Sequence, residues 1–127
     1  MVGDDVLGAV VRLSADYARL VDNREATAWS ELFAPDGCMD LGGRRITGRA
    51  ALAEFAAAAT AGVHTPGLPS VTVDGDRIES RSPFVFVSTG GTVLAGWYHD
   101  ELTWDGDRLV FAVRRVDMRA TSPARPG

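Results

Sequence analysis

Three turn signals, Asp74-Gly75-Asp76, Gly90-Gly91 and Asp105-Gly106-Asp107, divide the chain after His64 into four apolar-rich stretches. Glycine accepts the positive backbone angles of a tight reversal, so each signal is hairpin chemistry and consecutive strands are expected to pair antiparallel. The expected strands cover residues 70–73, 77–88, 92–104 and 108–119. The chain before His64 has a different period. Val6, Val10, Leu13, Tyr17 and Leu20 recur at steps of four and three, which predicts a helix over residues 5–23. A second helix is expected over residues 24–33, with Ala28, Trp29, Leu32 and Phe33 apolar and Ala34-Pro35-Asp36-Gly37 as its stop. A short strand pair around residues 38–46, broken at Gly42-Gly43, should then lead into a third helix. Thr47 is its expected cap, Ala59 its last residue and Gly62 its terminator, with Leu52, Phe55 and Ala59 on the apolar face. Helices first and an antiparallel meander second imply an α+β domain, three N-terminal helices on one face of a curved sheet. The hollow between helices and sheet is the expected ligand pocket.

Composition narrows the function. The 127 residues suit one domain, expected over residues 1–120 with a frayed tail at 121–127. With 46% hydrophobic and 24% charged residues the chain reads as a globular protein. No apolar run approaches the roughly 20 residues of a membrane span, and Met-Val-Gly-Asp-Asp does not begin like a secretory signal. Cys38 is the only cysteine, which excludes an intrachain disulfide and a cysteine-based zinc site and fits a cytoplasmic location. The net charge is -4 and all 13 basic residues are arginines scattered along the chain, so neither nucleic acid nor lysine Schiff-base chemistry is expected. No phosphate-cradling loop, nucleophile-elbow serine or paired-histidine spacing is present, and no metal is expected.

The candidate chemistry lies in a few polar residues near the expected hollow. His64, in Gly62-Val-His-Thr-Pro-Gly, follows the third helix and precedes the main sheet, which suits a general base or a loop histidine bonded to backbone. His99 shares parity with Ala95, Trp97 and Glu101 and reads as a solvated sheet-face residue. Asp22 ends the first helix, where the dipole disfavours a carboxylate unless a donor compensates. A histidine would supply that donor; a capping box with Glu25 is the competing role. Tyr17 falls on the apolar stripe, so its hydroxyl needs a partner. Arg114 is the lone cation on the row Val110, Ala112, Val116 and Met118, to be answered by an anionic ligand or by a carboxylate such as Asp22 or Asp100. Asp100 is the lone anion beside Leu94, Gly96 and Tyr98 on the neighbouring strand. By the same parity Trp97 and Phe111 fall on the outer face, which suggests a homodimer or homotrimer.

These residues, taken with Leu32-Phe-Ala-Pro-Asp-Gly, Gly48-Arg-Ala-Ala-Leu and Gly96-Trp-Tyr-His-Asp-Glu, resemble the SnoaL-like group. That group belongs to the nuclear-transport-factor-like superfamily of cone-shaped α+β barrels, and the likeness covers roughly residues 6–119. The pattern is most like the scytalone dehydratase, bile-acid 7α-dehydratase and hexachlorocyclohexane dehydrochlorinase type. The resemblance implies a cofactor-free lyase acting on a hydrophobic cyclic or polycyclic molecule. His64 would be the base, Asp22 its orienting partner, and Tyr17 and Arg114 donors to a departing oxygen or an enolate. Tyr98, Asp100, Gly96, Leu94, Val116, Met118, Trp29 and Phe55 would line the substrate pocket. An isomerase or polyketide cyclase with a carboxylate base, and a non-catalytic ligand-binding protein, are the other readings of the same residues.

Overall fold

The amphipathic N-terminal segment forms α1, Gly3–Asp22, in a computed structural model that describes residues 3–123. Its stripe of Val6, Val10, Leu13, Tyr17 and Leu20 is buried, and the helix lies against the sheet along that stripe. Two shorter helices follow, α2 at Ala26–Ser30 and α3 at Arg49–Ala57. No helix among the described residues is long and apolar enough to cross a membrane.

The strands are β1 (Phe33–Leu41), β2 (Arg44–Thr47), β3 (Gly62–Pro66), β4 (Ser70–Asp74), β5 (Arg77–Ser88), β6 (Val93–Asp105) and β7 (Arg108–Ser122). They form one seven-stranded sheet ordered β2-β1-β7-β6-β5-β3, with β4 also paired to β5. Every pairing is antiparallel except β1 with β7, which is parallel. The fold is the expected α+β arrangement of helices on a mostly antiparallel sheet. Among the described residues the sheet stays open: β2 at one end and β3 and β4 at the other remain edges, and no ladder closes it into a barrel.

Several local expectations change. The second helix stops at Ser30 because Phe33 already pairs with Phe111 on β7, and Ala34-Pro35-Asp36-Gly37 belongs to an irregular stretch of β1 rather than a helix stop. Thr47 does not cap the third helix. It ends β2 opposite Cys38, and the N-cap is Gly48, with no side-chain cap bond. That helix ends at Ala57, two residues before Ala59, and Gly62 opens a strand instead of terminating it. The segment around His64 is this edge strand, with His64 opposite Phe86. At the other end β7 continues through Thr121 and Ser122, which pair with Leu94 and Val93, so these two do not fray; residues 124–127 lie outside the described residues.

The largest correction concerns parity. The β6–β7 ladder pairs Glu101 with Val113 but Leu102 with Phe111, so Ala112 is an extra residue and the strand before it changes face. Phe111 is therefore in the core at 1% exposure instead of on the outer face, whereas Trp97 is 39% exposed as alternation predicts. A second irregularity lies between Ala95 and Gly96. A Cβ on Gly96 would overlap the Asp117 carbonyl, so a glycine is needed where β6 crosses β7 this closely. The core position of Phe111 is checked by denaturant unfolding of Phe111→Ala. A loss of about 3–5 kcal/mol is expected for a buried phenylalanine, and a loss below about 1 kcal/mol would return the ring to the outer face.

Candidate active site

Asp22 is the last residue of α1, at the negative end of the helix dipole, where a carboxylate is least welcome. Its two oxygens are taken up by one residue of the edge strand. The backbone N–H of His64 donates to Oδ2 at 2.9 Å, and Nδ1 of the same residue lies 2.6 Å from Oδ1. A carboxylate only accepts, so Nδ1 carries the hydrogen and Nε2 holds the lone pair of the neutral ring. The capping box is not formed: the N-cap of α2 is Glu25, and it has no side-chain cap bond. Both side chains of the pair keep about a fifth of their surface in solvent, 19% for His64 and 18% for Asp22. The imidazole is held on its flanks by Phe86, at 4.4 Å between centroids, and by the edge of Tyr17 at 6.2 Å.

Tyr17 and Tyr98 form the floor beside this pair, in an edge-on contact at 5.6 Å. Burial raises the Tyr17 pKa above its ordinary value, while the Arg114 charge pulls it back. Tyr98 is pushed well above its ordinary value, again chiefly by burial. Arg114 sits against both rings, its guanidinium carbon 4.3 Å from the Tyr17 centroid and 3.6 Å from that of Tyr98. The strand opposite answers its charge. Asp100 accepts from Nε at 2.9 Å and from Nη2 at 3.1 Å, and Arg114 is 1% exposed. Burial raises the Asp100 carboxyl against the opposing pull of Arg114. The third guanidinium nitrogen, Nη1, has no hydrogen-bond partner among the described residues.

A cavity of about 770 Å³ opens between the helices and the concave face of the sheet. His64, Tyr17 and Tyr98 reach it, and Trp29, Phe55, Leu94, Val116 and Met118 line it. Asp100, Arg114 and Gly96 do not reach it. The ion pair borders a small separate hollow with Ser14, Ser80 and Ser82, so a direct contact of either charge with a ligand in the large cavity is not what the geometry offers. Sequence reasoning missed Phe84 and Phe86, and at the rim Arg44, Arg45 and Glu54. Strict alternation along β5 would have found the two phenylalanines, since every second residue from Ile78 to Ser88 is buried. Among the described residues no cluster of three or more histidine, cysteine or acidic side chains is arranged to hold a metal.

Residues 6–115 match the sequence model of the SnoaL-like domain, and the chain belongs to that family. Membership places it among small-molecule enzymes and binders. No curated protein matches the chain significantly in sequence. Solved structures do match. Rv3472 of Mycobacterium tuberculosis, whose function is unknown, is 28% identical with a TM-score of 0.81, covering 87% of this chain and 70% of its own. An NTF2-like protein with a cystatin-like fold from Novosphingobium aromaticivorans is 25% identical with a TM-score of 0.72, covering 87% and 80%. A hexachlorocyclohexane dehydrochlorinase, LinA type 2, is 15% identical with a TM-score of 0.79, covering 91% and 86%, a likeness of fold.

The raised phenols give a direct test. Both hold their protons more tightly folded than unfolded, so their contribution to stability is complete below pH about 10 and is lost as pH climbs through the raised values. Tyr17 and Tyr98 are the chain's 2 tyrosines, so near-ultraviolet phenolate absorbance reports on them alone. At pH about 10, where free tyrosine is half ionised, the folded protein should show clearly less phenolate than that. Its appearance should coincide with loss of tertiary circular dichroism; a half-ionised signal from a fully folded sample would refute the assignment.

Proposed function

We propose that this SnoaL-like protein is a cofactor-free lyase that eliminates water, or a comparable small leaving group, from a hydrophobic cyclic or polycyclic molecule. The observation that carries the reading is the two-point hold of Asp22 on His64 in the wall of a largely apolar cavity. Nε2 of His64 takes a proton from the substrate carbon, and the electrons of the broken C–H bond form the new double bond. Asp22 keeps the ring oriented and stabilises the imidazolium. The C–O bond breaks with its electron pair going to oxygen, which receives a hydrogen bond from Tyr17 and then the proton from the imidazolium. Water leaves and His64 is neutral again. Arg114 acts through the tyrosines, as a positioning residue, because its charge and its contact with both rings set their placement and acidity. The dehydrochlorinase among the structural neighbours is named for an elimination, which supports the reaction type.

His64→Ala and Asp22→Asn should each lower turnover of an elimination substrate by a factor of roughly 10²–10⁴ while circular dichroism and unfolding remain those of a folded protein. Turnover that survives loss of His64 but not of a carboxylate would select the isomerase or cyclase reading. A ligand bound tightly and returned unchanged would select the binding protein.

Assembly into a homodimer or homotrimer belongs to the same reading, through the outer face of the sheet, where Trp97, Val63, Val85 and Val87 are exposed. Sedimentation velocity should find a dimer or trimer for the native chain and a smaller species for Trp97→Asp. A native monomer at micromolar concentration would refute it.

A further inference from the structure

The rim of the cavity carries a charge that neither the fold nor the proposed reaction uses. Arg44 precedes Ile46 by two residues on β2, so alternation puts both on the concave face, with Ile46 buried and Arg44 exposed at the mouth. Across the ladders Arg44 lies opposite Leu41, Leu41 opposite Val116 and Val116 opposite Tyr98. All four line the cavity. Arg44 is thus the outer end of a row whose inner members are two aliphatic side chains and a tyrosine.

The carboxylate nearest along the chain is already engaged. Asp40 accepts the Gly43 N–H at 2.9 Å through Oδ1, which holds the Gly42-Gly43 turn, and its Oδ2 lies 3.6 Å from Nε of Arg45. Among the described residues Arg44 forms no ion pair. The charged or titratable groups lining the cavity are Arg44, Arg45, Glu54, His64, Tyr17 and Tyr98, and burial keeps the two phenols protonated. Asp40 answers Arg45 and Asp22 engages His64, which leaves Arg44 on β2 and Glu54 on α3 at the rim. A ligand that fills the apolar interior also strips water from the rim beside it. A guanidinium desolvated in that way needs a charged acceptor, and its planar fork matches a carboxylate.

We propose that Arg44 recognises a carboxylate, so that the substrate is an amphiphilic ring acid whose apolar frame lies among Phe55, Phe84 and Phe86 while its acid group stays at the mouth. The inference rests on the elimination reading only in taking this cavity as the substrate site.

Three probes that share one ring system separate the possibilities: phenanthrene-9-carboxylate, its neutral carboxamide and the cationic 9-aminomethyl compound, each titrated calorimetrically into the native chain and into Arg44→Ala. The carboxylate should bind roughly threefold to tenfold more tightly than the carboxamide, the range of a partly solvated charge pair, and that preference should shrink as salt is raised. In Arg44→Ala the ratio should fall to about one with the carboxamide affinity unchanged. Equal affinities in the native chain, a preference that survives Arg44→Ala, or tightest binding of the amine through Glu54 would each overturn the assignment. Failure of all three probes to bind would overturn the cavity as a substrate site together with it. A charge preference that depends on Arg44 in a protein whose His64 variants lose no turnover supports this assignment while removing the elimination mechanism.

Discussion

A guanidinium sealed inside the molecule organises what surrounds it. Arg114 is 1% exposed, and an unpaired cation at that depth is costly enough that the fold must answer it. The answer comes from two directions. Asp100, directly opposite on β6, accepts two parallel bonds, and the rings of Tyr17, Tyr98 and Phe111 stack around the planar group at 3.6–4.4 Å. Tyr17 belongs to α1, so the same charge that ties β6 to β7 also anchors the helix to the sheet. Phe111 and Arg114 are three residues apart and would face opposite sides of a regular strand. The extra residue at Ala112 is what puts them on one face. Bulge, ion pair and aromatic cluster are therefore one structural solution.

Helix α1 brings a second group to the cavity by a different route. Tyr17 and Asp22 are five residues apart, a rotation of about 140° around the helix axis, so they cannot share the buried stripe. Tyr17 enters the core, and Asp22 emerges at the helix end beside β3. An edge strand has backbone groups with no neighbour on one side, and His64 uses one of them: its N–H goes to Asp22 along with its ring. The same contact satisfies a carboxylate at an unfavourable helix end, secures the edge of an open sheet and sets the tautomer of an imidazole. Arg24 supports this corner, since its guanidinium donates to the carbonyls of Ala57 and Ala59 where α3 ends.

The architecture was legible where residues act on their neighbours in sequence. The period of α1 and the three glycine turns are local signals, and the strands that they delimit form as expected to within a few residues. Reading fails where a distant partner decides. Phe33 looks like a helix residue until Phe111 pairs with it, and the β3 segment reads as a loop because five residues with half-exposed alternation carry little pattern of their own. Phe111 reads as an outer-face residue because a bulge leaves no mark in composition. Among the candidate site residues, Asp22 with His64 and Arg114 with Asp100 were each weighed as a pair, yet the sequence alone left a cap as the rival for the first and a ligand for the second. Arg44 was missed for a simpler reason. Exposed arginines beside a glycine turn are ordinary, and only the register Arg44–Leu41–Val116–Tyr98 reveals that this one stands at the end of a cavity row.

The two halves of the site differ in their access to water, and the difference suits the roles proposed for them. A base that cycles its proton must exchange it with solvent or with the leaving group, and the His64–Asp22 pair keeps about a fifth of its surface open. A donor to a developing oxyanion has the opposite requirement. It must remain protonated and must not be solvated, because a preorganised dipole in a dry setting acts more strongly than one that water can screen. Burial raises both phenols and so keeps them neutral, while Arg114 limits the rise for Tyr17, the ring nearer the imidazole. Had the guanidinium faced the cavity, it would have been a hydrated or ligand-paired charge. Held behind the rings by Asp100, it leaves a largely apolar cavity whose inner polar groups are an imidazole and two phenols, with the charged arginines and Glu54 confined to the rim.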